Sequence, residues 1–473
     1  MMPIQGLYGI LRSMSKLEQL LQTLLSAEDF SVQPEVCQEH GSDYTEDLLF
    51  LPAAVAWPRS AQQVADVLKA FNEEGIPVYT RGAGTGLSGA CLPVHGGLVL
   101  STRKLNAILD IDVQNAQARV QPGVINAELK EKAAEFGLWY APDPASFQSS
   151  TIGGNIAHGA GGPKAVKYGT TREHILNLQV ALPNGDLIWT GSNTLKNSTG
   201  FSLTQLMVGS EGLLGIVTEA VVKLVRKPDN EQLMLACFSK AQEAAMAVNG
   251  ILNAVSNLPA ALELMEKRAV EISKQATQTA FPEHPEAGFY LLLAFEGESD
   301  QEWSSVCEEL YGFLDQSGAL DVWVPQSSQH QEDWWKVRRA MGEAVKQISI
   351  YKEEDAVVPR AHLPELLTGL EDIRSRYGFE TVSYGHAGDG NLHINILKSS
   401  LSDEEWKNKV PNGIREIFKL CKDLGGTLSG EHGVGLVQAP YLDVVLDPGA
   451  LALMKGIKSV FDPKGILNPG KWV

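Results

Sequence analysis

Between residues 60 and 75 apolar side chains recur at helical spacing: Val64, Val67, Leu68 and Phe71 share one face, with Ser60 placed to cap the start and Gly75 the end. The spacing predicts a helix there, followed by a strand over 76–80. Further strands are expected over 98–102 and 118–121, with a helix over 126–136. Residues 177–182 and 187–190 alternate around Asn184-Gly185, the signal of a hairpin with a type I′ turn. A long β-prone run covers 216–225. After Lys227-Pro228-Asp229-Asn230, a plausible boundary, the pattern becomes strand 231–238, helix 241–252, strand 261–265, helix, strand 288–296, helix 300–317 and strand 321–324. Such alternation fits split βαβ units on a shared antiparallel sheet. Trp334 to Arg339 is read as the head of a helical stretch, and helices are expected over 363–377, 403–424 and 446–461. At the N-terminus, Leu17, Leu20, Leu21, Leu24 and Leu25 read as an amphipathic helix.

Glycine-rich segments interrupt this pattern, and the chemistry gathers in them. Arg81 to Gly89 contains a literal GxGxxG at Gly84, Gly86 and Gly89. A dinucleotide fingerprint needs a helix to open at that point, and Pro93, Gly96 and Gly97 forbid one. A Walker loop needs a lysine that is missing. What remains is a strand followed by closely spaced backbone N–H groups, an anion nest able to wrap a pyrophosphate. The segment 151–163 is glycine-dense but apolar, which suits close approach to a flat ligand. Around Tyr384 to Asn395, Gly388, Asp389 and Gly390 lie between His386 and His393, a third glycine, Gly385, precedes His386, and β-prone runs lead in and out. On the outgoing strand His393 and Asn395 share a face. Two imidazoles held on strands begin a divalent-metal site. The best third ligand is Glu431, in Ser429-Gly430-Glu431-His432-Gly433. Spacing alone does not bring the two clusters together, and a reading of these residues as ordinary turn and surface positions stays open here.

A chain of 473 residues is too long for one core, so two or three domains are expected. The net charge of −18, with no basic stripe, argues against a nucleic-acid surface but leaves room for a local cationic pocket. No apolar run approaches a membrane span, and residues 1–25 make a poor signal peptide. The five cysteines are scattered and form no CxxC, which fits a reducing cytosol and gives no framework for an iron–sulfur cluster; any such centre would belong to a partner.

The motifs RGAGTGLSG, PDPAS with IGGN, GSEGLLGIVTEA, GHAGDGNLHIN, SGEHGVG and FDPKGILNPGK occur in that order between about Asp47 and Lys471. In series they resemble the FAD-linked oxidases of the vanillyl-alcohol oxidase/PCMH-type fold. Within these the chain is similar to the D-lactate dehydrogenases, the glycolate oxidase flavoprotein subunit and the D-2-hydroxyglutarate dehydrogenases. The resemblance implies an α+β protein: an N-terminal helical segment (1–46), a two-subdomain PCMH-type FAD-binding domain (47–227), an α+β cap or substrate domain with an antiparallel sheet (228–426) and a C-terminal segment (427–473) returning to the flavin. It implies that Gly82, Gly84, Thr85, Gly86 and Ser88 bind the FAD pyrophosphate. Pro144, Gly154, Asn155, Gly161, Glu211, Gly215, Ile216 and Asn468 would lie along the cofactor. No histidine stands near Thr85, so the FAD is expected to be noncovalent. His158-Gly159 departs from the usual residues of relatives.

The same resemblance carries a divalent ion, usually zinc, over to His386, His393 and Glu431, and a proton-accepting role to His432. It carries substrate contacts to Arg338, Lys352 and Asn395. It implies oxidation of D-lactate or a close relative to the 2-oxo acid by hydride transfer to flavin. The alternatives are a glycolate oxidase flavoprotein subunit, a D-2-hydroxyglutarate dehydrogenase and a catalytically silent flavoprotein subunit. Glu354 to Arg360 favours the lactate/glycolate branch. Implied partners are a quinone, a cytochrome or an electron-transfer flavoprotein as acceptor, with room for an iron–sulfur partner subunit and a homodimer. The expected location is cytoplasmic, at most peripheral to the inner membrane.

Overall fold

A computed structural model describes residues 16–45, 48–255, 257–297 and 300–473. The first layer is a four-stranded sheet in which Ala54–Ala56 and Val78–Arg81 flank Leu98–Ser101 in parallel, with Phe30–Ser31 antiparallel at one edge. Parallel neighbours need a crossover element, and the helix Ala61–Glu74 supplies one. Its ends are those expected: the Ser60 hydroxyl accepts from Gln63 N–H, and Gly75 closes it at φ 66°. Val64, Val67, Leu68 and Phe71 are completely buried in a core shared with Leu98 and Leu100. Residues 16–24 are helical and, with Leu25 just past their end, add Leu17 and Leu21 to that core. The remainder of the expected N-terminal helix lies outside the described residues.

Next comes a five-stranded antiparallel sheet in the order Ile108–Asp112, Gln117–Val120, Ile216–Lys223, Ile175–Ala181, Leu187–Trp189. Its edge strand Ile108–Asp112 escapes the periodicity because none of its residues is fully buried. The hairpin at Asn184-Gly185 forms, but its turn is not type I′. Asn184 is absent from the positive-φ residues, Gly185 stands at φ 88°, and Gly185 N–H returns to Leu182 O. Pro183 presets the negative φ of a type I turn, so Gly185 falls in the bulge position after it. A two-stranded ribbon, Leu138–Trp139 with Val225–Arg226, completes this half.

The second half is built on a seven-stranded antiparallel sheet in the order Asp321–Trp323, Asn230–Phe238, Phe289–Gly297, Ala261–Glu266, Glu380–His386, Asn391–Leu397, Tyr351–Val357. Both faces are covered, so neighbouring residues on one strand serve different cores. Met234, Ala236 and Phe238 pack with residues of the helices Ala241–Ala254, Leu363–Tyr377 and Val410–Asp423; Leu233, Leu235 and Cys237 pack with Trp334, Trp335 and Met341. Two helix expectations need correction. The run 403–424 is two helices, Asp403–Asn408 and Val410–Asp423, because Pro411 is tolerated in a first turn but not in an interior. Trp334 and Trp335 sit in the C-terminal half of the helix Ser328–Arg339, whose start is capped by Ser327, rather than at its head.

The C-terminal stretch laces the halves together. Thr427 and Ser429 bridge to Val357 and Asp355, while Leu467 bridges to Val78 in the first sheet. Between them runs the helix Pro448–Phe461. Among the described residues no helix is long and apolar enough to cross a membrane.

Candidate active site

One cavity of about 410 Å³ runs from the glycine loop after Val78–Arg81 to the two histidine clusters. Gly82, Gly84, Thr85 and Gly86 of the loop line it, as do Pro144, Gly154, Asn155, Gly215 and Ile216. No helix opens after the loop, in keeping with rejection of the dinucleotide fingerprint. Among the described residues, none of the backbone N–H groups from Ala83 to Leu87 donates a hydrogen bond within the chain. Unpaired N–H groups gathered on a cavity wall form a seat for an anion. Gly84 cannot be replaced freely: φ is 77°, and a Cβ would fall 2.1 Å from the Arg81 guanidinium. The donors, the cavity and this close-packed glycine fit an FAD pyrophosphate.

Three residues expected along the cofactor lie behind the lining. The Ser88 carbonyl accepts from Leu436 N–H at 2.7 Å. At Gly161 a Cβ would stand 2.9 Å from Glu431 Oε2, so a bare backbone lets Glu431 approach. Asn468 Oδ1 accepts from Thr80 N–H at 2.9 Å, and its amide donates to the Glu211 carbonyl. Glu211 does line the cavity, but its carboxylate is committed to the C-terminal segment, accepting from Val434 N–H, from Gly435 N–H at 2.9 Å and from Trp472 Nε1 at 3.1 Å. The glycine-dense segment is more ordered than bare backbone: Thr151 caps a short helix, Ile152–His158. The His158 ring at its end lines the cavity and bonds through Nδ1 to the His432 carbonyl at 2.9 Å.

At the other end the two clusters meet. His386 ends one strand, His393 lies on the next, and Tyr384 is the cross-strand partner of His393. His386 Nε2 is 3.1 Å from Glu431 Oε1, His393 Nε2 is 3.4 Å from His386 Nε2, and His393 Nε2 is 3.6 Å from Glu431 Oε1. The opposite nitrogen of each ring faces carboxylates. Glu263 lies 2.9 and 3.0 Å from His386 Nδ1, while Glu353 and Asp355 lie 3.7 and 3.8 Å from His393 Nδ1. Two imidazole nitrogens and a carboxylate oxygen converging on one point, each ring backed by an acid, fit a divalent ion. A second convergent set, Glu353, His393 and His432, shares His393. His432 stacks on His393 with centroids 5.0 Å apart and planes 14° apart.

The electrostatics follow from burial and crowding. Burial opposes protonation of His386, but Glu263 and Glu431 outweigh it and hold its pKa well above the ordinary imidazole value. Burial, then the neighbouring His432 and His386, keep His393 neutral, far below that value. Burial likewise opposes protonation of His432, and Asp355, Glu353 and Glu431 raise it. A divalent charge among them would act in the opposite sense.

Asp355 holds the second cluster in place, and no sequence reading singled it out. Its Oδ2 accepts from Ser429 Oγ and from the N–H groups of Gly430, Glu431 and His432, all at 2.8–2.9 Å; its Oδ1 accepts from Asn391 Nδ2 at 2.7 Å. The backbone carrying Glu431 and His432 is thereby fixed to the strand Tyr351–Val357.

Arg338 is buried, lines the cavity and lies 2.5 Å from Glu263 Oε2, with its guanidinium carbon 5.1 Å from the centre of the Tyr384 ring. Asn395 is completely buried two residues beyond His393; its amide donates to Val382 O and its Oδ1 has no partner, but it does not reach the cavity lining. Lys352 is not brought to the site. In a strand of period two it shares a face with Glu354, which bonds to Gln438, whereas Glu353 on the other face lines the cavity. That alternation, opposite His393 and Asn395, is a signal that could have selected Glu353 and Asp355. Glu263, in an apolar strand far away, carries no local signal.

Two family models match the chain: one described as FAD binding domain, over residues 52–191, and one as FAD linked oxidases, C-terminal domain, over residues 227–472. The chain is 37% identical over 458 residues to the glycolate oxidase subunit GlcD of Bacillus subtilis, covering 96% of each. It is 36% identical over 447 residues to a D-lactate dehydrogenase of Anaerostipes hadrus, covering 92% of this chain and 94% of that one. Among solved structures, p-cresol methylhydroxylase with substrate bound superposes with a TM-score of 0.80 at 19% identity, over 97% of this chain and 96% of that one, a likeness of fold.

Proposed function

The chain belongs to the FAD-linked oxidases and is an FAD-dependent hydroxyacid oxidoreductase, and from that premise we propose that it oxidises D-lactate or a close relative to the 2-oxo acid. The observation that carries the reading is the meeting of His386, His393, Glu431, His432 and Arg338 at one end of a cavity whose other end is the glycine loop.

In this reading Gly82, Gly84, Thr85 and Gly86 hold the pyrophosphate, with Ser88 supporting the turn behind them. Pro144, Gly154, Asn155, Gly161, Gly215 and Ile216 flank the rest of the FAD, while Glu211 and Asn468 tie the C-terminal segment beside it. Noncovalent FAD, once bound, supplies the hydride acceptor. His386, His393 and Glu431 would hold a divalent ion, zinc being the one the family resemblance carries, and it would supply Lewis acidity toward the substrate hydroxyl. Arg338 pairs with the substrate carboxylate and fixes the direction of the α-hydrogen. His432, oriented by Asp355, takes the hydroxyl proton as the α-hydrogen leaves with its electron pair. Asn395, on the same strand face as His393, stays outside the cavity lining. The electrons then pass to a quinone, a cytochrome or an electron-transfer flavoprotein, and the enzyme works in the cytoplasm or at the membrane periphery.

A second reading, a glycolate-oxidising flavoprotein subunit with an iron–sulfur partner, draws support from the relative that is itself named a subunit. Anaerobic stopped-flow mixing with paired D- and L-2-hydroxy acids tests the proposal. Bleaching of the oxidised flavin by D-lactate faster than by L-lactate is expected. Reduction by L-isomers alone defeats it, and a marked preference for glycolate selects the second reading.

A further inference from the structure

We infer that Glu263 is a shared positioning residue: one buried carboxylate fixes His386 and Arg338 together, so affinity for the divalent ion and affinity for the substrate carboxylate depend on the same side chain. The inference rests on the roles proposed above for those two residues.

Glu263 is completely buried in the strand Ala261–Glu266, in register with His386. Its surroundings are apolar: Leu262 and Leu264 enter one core, Ala261 and Met265 the other. A charge at the centre of such a strand is expensive, and an apolar residue would serve the fold better. What it holds is specific. Both carboxylate oxygens lie within 3.0 Å of His386 Nδ1, and Oε2 is also 2.5 Å from Arg338 Nη2. With Nδ1 engaged by Glu263, His386 turns Nε2 toward Glu431 and His393. The contact with Nη2 is an ion pair and not an aligned hydrogen bond, since both Nη2 and Nε of Arg338 are buried without a hydrogen-bond partner, and it anchors the guanidinium of a residue that lines the cavity. A carboxylate between a metal ligand and a substrate anchor makes them one unit.

The test uses the FAD-loaded protein after removal of metal with a chelator. Zn²⁺ affinity is measured by calorimetric titration. Affinity for pyruvate, the 2-oxo acid of D-lactate, is read from the flavin difference spectrum. Glu263→Gln keeps the shape and removes the charge. It is expected to weaken Zn²⁺ binding about 10–100-fold and pyruvate binding by roughly the same factor, with FAD content and melting temperature close to wild type. Glu263→Asp, too short to serve both partners, is expected to recover one affinity only. Movement of only one affinity in Glu263→Gln overturns the shared role, as do two affinities within threefold of wild type. Should the variants fail to fold, ¹⁵N-histidine spectra of the wild-type protein loaded with Zn²⁺ decide: a proton on His386 Nδ1 is expected, and coordination through Nδ1 overturns the inference. A wild-type protein that binds neither Zn²⁺ nor pyruvate overturns the functional reading itself, a result visible without any variant.

Discussion

Two glycine-rich turns of this protein use the same backbone device to opposite ends. Residues 83–87 line the cavity, and their N–H groups have no acceptor from the chain. Around residues 429–432 they converge on an acceptor the chain provides, the carboxylate of Asp355. An unfilled nest binds; a nest filled from within positions. The first turn gains its anion only when a ligand arrives. The second is fixed before any ligand is present, so Glu431 and His432 need no reorganisation to serve chemistry. Charge-assisted bonds to a buried carboxylate contribute about 1.5–3 kcal/mol each.

The severest way to break the contrast is to empty the filled nest. Asp355→Ala leaves three N–H groups and the Ser429 hydroxyl without their acceptor, and the cost is on the order of 3–5 kcal/mol. A large fall in melting temperature with loss of D-lactate-driven flavin reduction is expected. Asp355→Asn, which keeps the volume, should retain FAD while zinc affinity drops about 10–100-fold, measured as metal content after dialysis. Asp355→Asn with wild-type metal content and turnover would show that the 429–432 turn holds itself.

The converse experiment spoils the unfilled nest. Gly84→Ala places a Cβ against Arg81 in a backbone conformation that side chains resist. The expected outcome is protein purified with little flavin, read from its 450 nm absorbance, whose zinc affinity stays within about threefold of wild type. Equal loss of both would mean that the two turns are one cooperative unit and the contrast is false.

These two turns also show what the sequence made legible. The loop at 82–88 was recognisable because it advertises itself locally: a strand, then glycines, then residues that forbid a helix. Glu431 and His432 were marked by their glycine neighbours. Helix Ala61–Glu74 was readable to its caps, since capping is a local interaction. Asp355 and Glu263 were invisible for the opposite reason. Each is an acid inside a strand with nothing local to set it apart from its neighbours, and its partners lie 75 residues away for the Gly430 N–H and 123 for His386. The pairing of Lys352 with the site failed on parity, because a one-residue slip turns a strand residue to the other face. At Pro183 and Pro411 the strand alternation and the helical spacing run straight through a proline that sets a different local backbone.

A smaller effect is expected from the substrate anchor, which tests whether the prepositioned end needs a fork or only a charge. Arg338→Lys keeps the positive charge but cannot serve Glu263 and a ligand carboxylate with one planar group. A fall in kcat/KM of about 10–100-fold, carried mainly by KM, is expected from steady-state assays with D-lactate, and unchanged KM would remove Arg338 from carboxylate binding.

The mildest prediction compares two acids one residue apart. Asp355 is buried, which alone would raise its pKa, but His432, His393 and the N–H groups around it hold it far below the usual carboxylate range. Glu354, on the other face of the same strand, has one hydrogen-bond donor, Gln438 Nε2 at 2.9 Å, and burial lifts it to about 7. A folded-state pKa above the unfolded one means that the folded protein holds this proton more tightly. That stabilisation is complete below the ordinary glutamate value near 4.5 and is lost as pH rises through about 7. Glu354→Gln mimics the protonated form at every pH. The variant should melt with wild type at pH 5 and a few degrees above it at pH 8, with turnover preserved because the residue faces away from the cavity. Parallel melting curves across that range would mean that Glu354 stays ionised in the fold, and that the number of N–H donors is not what separates the two acids.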